Sequence, residues 1–143
     1  MAPIIRNIAA VVVGFIVGGF VNMGLIMLGS SIIPAPPGVD ASDAESIAAG
    51  MHLFEAKHFI TPFVAHAAGT LVGALVACLL AVSSKMTVAM VIGFVSLAGG
   101  IAAAFMIPAP LWFLVLDLLV AYIPMAWLGG KLGQRFGKSR EGL

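Results

Sequence analysis

Three polar side chains lie inside apolar segments of this sequence and could act together at one site. Asn22, His66 and Asp117 each occur near the same end of a different long apolar run. At a helical rise of ~1.5 Å per residue, all three would lie at a common depth of roughly 10 Å. An imidazole beside a carboxyl can exchange a proton, accept hydrogen bonds or bind a metal ion. Because an ionisable group in a membrane costs at least ~2.5 kcal/mol, these residues predict a ligand or proton site.

The composition requires that most of the chain be shielded from water. Hydrophobic residues make up 62% of the 143 residues, charged residues only 9%, and the mean hydropathy is +1.16. A soluble domain is about half apolar and about a quarter charged. The sequence therefore predicts a single integral membrane domain over residues 1–143. The net charge of +1 provides no basic surface for nucleic acid, and the single cysteine excludes paired-cysteine redox chemistry.

Four apolar segments are long enough to span a bilayer as helices. Their predicted bounds are 8–33, 60–82, 87–107 and 111–132. Prolines and serines, which break or end helices, separate these segments. The sequence thus predicts an all-α, four-helix transmembrane bundle with one long outer loop at 34–59.

The basic residues predict the orientation of the helices. Arg6 precedes the first helix, Lys85 lies between the second and third, and four basic residues follow the fourth: Lys131, Arg135, Lys138 and Arg140. Short cytoplasmic segments carry an excess of Lys and Arg, so both termini are predicted to be cytoplasmic. The loop 34–59 carries four acidic residues and one basic residue, and lies on the outer side. The three polar residues would then lie in the outer leaflet.

The outer loop contains a pattern typical of a helix start. Ser42 followed three residues later by Glu45 matches a capping box, which predicts a short extramembrane helix over 43–49.

The second spanning helix could begin before residue 60. If it begins at Met51, then His52, Glu55 and His58 fall on one stripe with His66. The stripe would carry polar groups from the loop down to the buried site.

Short sequence similarities recur in the two halves of the chain. Segments 13–16, 33–36 and 64–66 resemble segments 92–95, 107–110 and 120–122 in the same order. If this is a duplication, the bundle consists of two parallel helical hairpins related by an axis along the membrane normal. His66 and Tyr122 would then occupy equivalent positions, which adds Tyr122 to the ligand or proton site. Chance repetition in a chain of few residue types is the alternative.

Small residues predict where the helices approach one another. A small residue at every fourth position lets two helix backbones come into close contact. Such faces contain Gly14, Gly18 and Asn22 on the first helix, His66, Gly69 and Gly73 on the second, and Gly93, Ser96, Gly100 and Ala103 on the third. Asn22 and His66 therefore project toward other helices.

A transition-metal ion is one candidate ligand. Imidazole and carboxylate donors suit zinc, iron, manganese or copper, and the tentative ligands are His58, His66, Glu55 and Asp117, with His52 at the rim. The spacing of these residues matches no strong zinc signature.

Haem is a weaker candidate cofactor than a single metal ion. It needs two opposed axial ligands, and His66 would have only Met23 or Met106 as a partner.

Two stretches of the chain resemble a known kind of protein. They are Met-His-Leu-Phe-Glu-Ala-Lys-His-Phe at 51–59, which leads into Pro-Phe-Val-Ala-His at 62–66, and Ala-Tyr-Ile-Pro-Met-Ala-Trp-Leu-Gly-Gly at 121–130. Together they resemble small four-helix bacterial inner-membrane proteins. The resemblance extends over nearly the whole chain and implies a bacterial inner-membrane location. It implies no activity.

The sequence leaves two classes of function open. The first is the binding or transport of a small ligand, a proton or a metal ion at the outer-leaflet site. The second is a non-catalytic accessory or structural subunit of a membrane complex, in which the polar residues fix helix register. A membrane-embedded metalloenzyme ranks below both, and catalysis is not expected because no serine or cysteine pairs with a histidine in the sequence. The expected partners are the lipid bilayer and either further copies of the chain or a larger membrane complex.

Overall fold

The computed structural model describes residues 2–142, apart from the side chains of residues 140 and 141. Within that range the chain forms α-helices and no strands: α1 (Ala2–Ile32), α2 (Ala44–Ala49), α3 (Ile60–Leu80), α4 (Lys85–Met106), α5 (Leu111–Val120) and α6 (Ile123–Glu141). Two 3-10 turns, Met51–Leu53 and Ala56–Phe59, precede α3.

Four helical segments of the described chain are long and apolar enough to cross a membrane. They are α1, the segment Ala56–Leu80 that contains α3, α4, and the segment Leu111–Ser139 formed by α5 and most of α6. The predicted all-α four-helix bundle is therefore confirmed. Two helices extend beyond the apolar cores that defined the predicted bounds, since α1 begins at Ala2 and α6 continues to Glu141.

The fourth spanning segment is broken in its middle, which the predicted span 111–132 did not include. α5 ends at Val120 and α6 begins at Ile123, with φ −114° and ψ −77° at Tyr122. Pro124 explains the break, because it has no N–H to donate to the carbonyl of Val120 and its ring crowds the preceding turn. In a membrane such a break is tolerated where the backbone lies within the protein.

α1 and α3, which are the first and second spanning helices, cross in close backbone contact. An ideal Cβ atom on Gly14 would lie 2.6 Å from the carbonyl oxygen of Gly73, and one on Gly18 would lie 2.6 Å from that of Gly69. Any larger side chain at these positions would push the two helices apart. The small-residue faces predicted for these helices thus meet each other.

α3 lies at the centre of the bundle. It packs against α1, α4 and α6, and Ala65, Ala74, Ala77 and Cys78 on it are fully buried. α1 and α4 make few contacts with each other, so a gap separates them along one side of the bundle.

One end of the bundle gathers the N-terminal part of α1, the α3–α4 turn and the C-terminal part of α6; we call it the basic end. The Asn7 amide donates to the carbonyl oxygen and hydroxyl of Ser83 at 3.1 and 3.0 Å, and accepts from the Val82 N–H at 3.1 Å. An ideal Cβ on Gly137 would lie 3.5 Å from Lys85 Nζ. The opposite end, which carries residues 33–59, is called the loop end.

The short helix in the loop forms, but a different residue caps it. Asp43, rather than Ser42, accepts hydrogen bonds from the backbone N–H groups of Glu45 and Ser46, both at 3.2 Å. The prediction that Ser42 caps this helix is wrong because its hydroxyl donates to Asp40 at 2.6 Å. The side-chain and backbone hydrogen bonds from Ser42 lower the pKa of Asp40.

The second spanning helix begins at the predicted residue 60 and not early at Met51. Phe54 and Glu55 have extended backbones, and α3 begins at Ile60. His58 Nδ1 accepts a hydrogen bond from the Glu55 N–H at 2.8 Å, which stabilises this turn in place of a continuous helix. The stripe from His52 to His66 therefore does not form, because it required unbroken helical periodicity.

Candidate functional site

His66 and Asp117 lie in direct contact inside the bundle. Nδ1 of His66, on α3, is 2.9 Å and 3.0 Å from the two carboxylate oxygens of Asp117, on α5. The Asp117 side chain is 6% exposed, whereas the His66 side chain is 27% exposed. The structure thus brings together two residues that are 51 positions apart and that the sequence analysis selected for their common depth.

Tyr122 completes this cluster. Its hydroxyl donates to Asp117 Oδ2 at 3.1 Å, and its ring stacks on the imidazole of His66 with centroids 5.8 Å apart and planes 27° apart. The tyrosine ring fits because Gly100 has no side chain, since a Cβ there would lie 2.6 Å from the hydroxyl oxygen. The Asp117 carboxylate therefore has partners on both oxygens.

The helix break explains how Asp117 and Tyr122 can serve one site. In a continuous α-helix, residues five positions apart point about 140° away from each other. The break at Ala121 and Tyr122 changes this relation and allows both side chains to contact His66. Pro124 is the sequence signal for this arrangement.

The second ring nitrogen of His66, Nε2, makes no hydrogen bond within the described residues. If Nδ1–H donates to the carboxylate, Nε2 of the neutral imidazole is a hydrogen-bond acceptor. No protein group within residues 2–142 hydrogen-bonds Nε2, and His66 lines a cleft of about 270 Å³. The imidazole thus connects a buried carboxylate to an open space.

This cleft lies in the gap between α1 and α4, with α3 as its floor. Glycines form much of both walls: Gly14, Gly18 and Gly19 on α1, and Gly99 and Gly100 on α4. The cleft is also lined by Thr70 of α3 and by Ile92, Ser96 and Ala103 of α4. The spacing of small residues predicted the faces of Gly18 and Gly100. It did not single out Thr70, Gly19 and Gly99, because small residues occur throughout the chain.

Asn22 lies in the same cleft but not in the His66 cluster. Its Oδ1 is buried without a hydrogen-bond partner among the described residues, and its Cβ would be 2.9 Å from a Cβ on Gly69. A buried, unpaired amide oxygen costs about 1–3 kcal/mol. Asn22 is therefore a polar group beside the cleft whose Oδ1 has no hydrogen-bond partner among the described residues.

The other candidate ligands lie elsewhere. Glu55 and His58 line a separate cavity of about 620 Å³ at the loop end, Glu55 is 3.5 Å from Lys57 Nζ, and His52 is exposed. Within the described residues, no group of three or more His, Cys, Asp or Glu side chains could hold a metal ion. The tentative set of Glu55, His58, His66 and Asp117 is therefore not one ligand set.

The haem interpretation gains no support from the positions of its axial candidates. Met23 and Met106 are 56% and 72% exposed, and neither lines the cleft beside His66.

A scan against protein-family models matches no family, and searches of curated proteins and of solved structures give no significant match.

Proposed function

We propose that this protein binds a small ligand in the cleft between α1 and α4, with His66 as the residue that contacts it. One observation carries this proposal: His66 lines the cleft and bonds a buried carboxylate through Nδ1, while its Nε2 makes no hydrogen bond within the described residues. A histidine that only held helices together would not need to line an open cleft with one ring nitrogen unpaired.

The unpaired amide of Asn22 supports the same proposal. Polar groups at membrane depth need partners, because hydrocarbon offers none. Nε2 of His66 and the amide of Asn22 line one cleft without protein partners in the described residues. A ligand with hydrogen-bonding groups would satisfy both.

Contact with the Asp117 carboxylate also allows the His66 imidazole to accept a proton. A histidine that accepts a proton at Nε2 becomes a cation, and a carboxylate in contact with Nδ1 stabilises that cation. The ligand can therefore carry an acidic hydrogen, and proton exchange with the ligand needs no further protein group.

Binding is favoured over transport through one subunit. The backbones of α1 and α3 touch at Gly14 and Gly73, so no passage runs between these two helices.

The proposed location is a bacterial inner membrane, with both termini cytoplasmic. Arg6, Lys85, Arg135 and Lys138 belong to the three segments gathered at the basic end, and short cytoplasmic segments are rich in such residues. At the loop end, Lys57 lies beside Glu55, so its charge is offset.

The proposal is tested by filling the cleft. Gly19 lines it and has no atom within 4 Å of an ideal Cβ, so the side chain of Gly19→Leu starts in open space at the wall of the cleft and is chosen to obstruct it. Gly24→Leu is the matched control, since Gly24 lies on the same helix, is equally open and does not line the cleft. The measurement is native mass spectrometry of protein released from membrane vesicles, followed by identification of retained small molecules.

We expect a stoichiometric compound in the wild type and in Gly24→Leu, and its loss in Gly19→Leu and His66→Ala. Gly99→Leu, on the opposite wall and equally open, serves as a second blocking variant. Equal retention by blocked and control variants, or no bound compound in any of them, would contradict the proposal. It would favour the accessory-subunit alternative, in which the polar cluster only fixes helix register.

A further inference from the structure

The cleft changes from polar to apolar along its length. Its part nearer the loop end contains His66 and Asn22, and its part nearer the basic end contains Gly14 and Ile92. Asn22 and Gly14 are eight positions apart on α1, which corresponds to about 12 Å along the helix. A ligand with a polar head and an apolar body matches this gradient.

The cleft opens toward the apolar side of the bundle. Phe15 on α1 and Val95 on α4 flank it, and their side chains are 51% and 44% exposed. The volume of about 270 Å³ is just below the range of ~300–1,000 Å³ typical of small-molecule sites. A head group therefore fits inside, while a long apolar tail can remain in the surrounding lipid.

The charges of the cleft do not suit a phosphate head group. No Lys or Arg lines it within the described residues, and the ionisable group nearest to His66 is the carboxyl of Asp117. Anion recognition relies on Arg, Lys or helix N-termini. The head group is therefore neutral.

The glycine walls of the cleft and the free Nε2 of His66 limit the chemical class of the head group further. Gly19 and Gly99 have no atom within 4 Å of an ideal Cβ, so their backbones leave open surfaces that allow close approach of a planar group. Nε2 accepts a hydrogen bond when Nδ1–H donates to Asp117, so the ligand must offer a donor. A phenolic O–H is the donor best matched to a carboxylate-backed imidazole, because a free tyrosine phenol already has a pKa of about 10.

We infer that the cleft binds a lipid-soluble hydroquinone. One ring hydroxyl donates a hydrogen bond to His66 Nε2, the ring lies between the glycines of α1 and α4, and the tail leaves toward the lipid. The amide of Asn22, in the same part of the cleft, is the candidate partner for the second ring oxygen. No covalent bond forms or breaks in this binding step. The inference rests on the proposed function and names the ligand class of that site.

The test uses decylubiquinol as the probe, under argon, with purified protein in lipid nanodiscs and titration calorimetry. Its oxidised form, decylubiquinone, is the matched control ligand, because it has nearly the same shape but no O–H donor. We expect near one-to-one binding of the quinol to the wild type and to Gly24→Leu. Binding of the quinone to the wild type, and of the quinol to His66→Ala, should each be about tenfold weaker, as expected for one lost hydrogen bond. Gly19→Leu should abolish quinol binding.

Equal affinity for quinol and quinone would overturn the inference, as would competition by decanol or didecanoylphosphatidate at the same concentration as the quinol. Absence of quinol binding, with another stoichiometric compound found in the wild type by mass spectrometry, would overturn only the ligand class. Absence of both would overturn the proposed function as well.

Discussion

The most informative contact in the molecule joins His66 Nδ1 to both carboxylate oxygens of Asp117. The sequence predicted one site for these two residues because residue type and depth within an apolar segment are both visible in it. The free Nε2 and the unpaired amide of Asn22 could not be predicted, since the direction of a side chain depends on packing. Tyr122 was selected only through a short internal similarity, and the structure supplies the physical reason in its hydrogen bond to Asp117.

A double-mutant cycle measures the strength of this contact. His66→Ala and Asp117→Ala should each destabilise the protein, because each leaves a polar partner unpaired at membrane depth. We expect a coupling of about 0.5–2 kcal/mol between them. Reversible unfolding in mixed detergent micelles gives the required free energies.

The matched control pairs Asn22→Ala with Asp117→Ala. No hydrogen bond joins these two side chains within the described residues, so their effects should add to within ~0.5 kcal/mol. If the His66 and Asp117 effects were equally additive, the contact would contribute nothing to stability.

Among the helices, the glycine faces were foreseen and the irregular segments were not. Gly14, Gly18, Gly69 and Gly73 meet because small residues recur with helical spacing, a pattern that depends only on local geometry. The stripe from His52 to His66, which depended on an early start of the second spanning helix, does not form because a local hydrogen bond at His58 competes with helix formation. The break in the fourth spanning segment follows from Pro124, but its consequence for Tyr122 requires three-dimensional packing.

Replacing single glycines on α1 tests the close helix contact. Gly18→Ala introduces a Cβ that would lie 2.6 Å from the Gly69 carbonyl oxygen, whereas Gly24→Ala introduces one into open space. Both changes bring the same gain in helix propensity, so their difference isolates the packing effect. We expect Gly18→Ala to be less stable than Gly24→Ala by about 1–3 kcal/mol in thermal unfolding. Equal stability of the two variants would show that α1 and α3 do not approach as described.

As a whole, the molecule is a four-helix bundle in which the neighbouring helices α1 and α4 make few contacts with each other. α3 contacts α1, α4 and α6, while α1 and α4 leave the cleft between them. Composition and segment length were sufficient to predict the bundle. Composition and segment length could not predict which neighbouring helices would leave a cleft, because that depends on how the other helices pack around α3.

The orientation of the bundle is testable by labelling single cysteines. In a Cys78→Ala background, Ser42→Cys at the loop end should react with a membrane-impermeant maleimide in intact spheroplasts. Ser139→Cys, beyond the apolar part of α6, should react only after permeabilisation, because basic segments face the cytoplasm. Labelling with the opposite pattern would reverse the proposed topology and put the cleft's polar part in the inner leaflet.

The most direct measurement is 15N magic-angle-spinning NMR of His66 in the membranes in which the chain is expressed. The protein has three histidines, so subtraction of the His66→Gln spectrum isolates the signals of this residue. We predict that Nδ1 is hydrogen-bonded to Asp117 and that Nε2 receives magnetisation from a non-protein molecule. Gly19→Leu should lose only the Nε2 contact, and Gly24→Leu should retain both. An Nε2 with no ligand contact in the wild type, or one unchanged in Gly19→Leu, would contradict binding in the cleft.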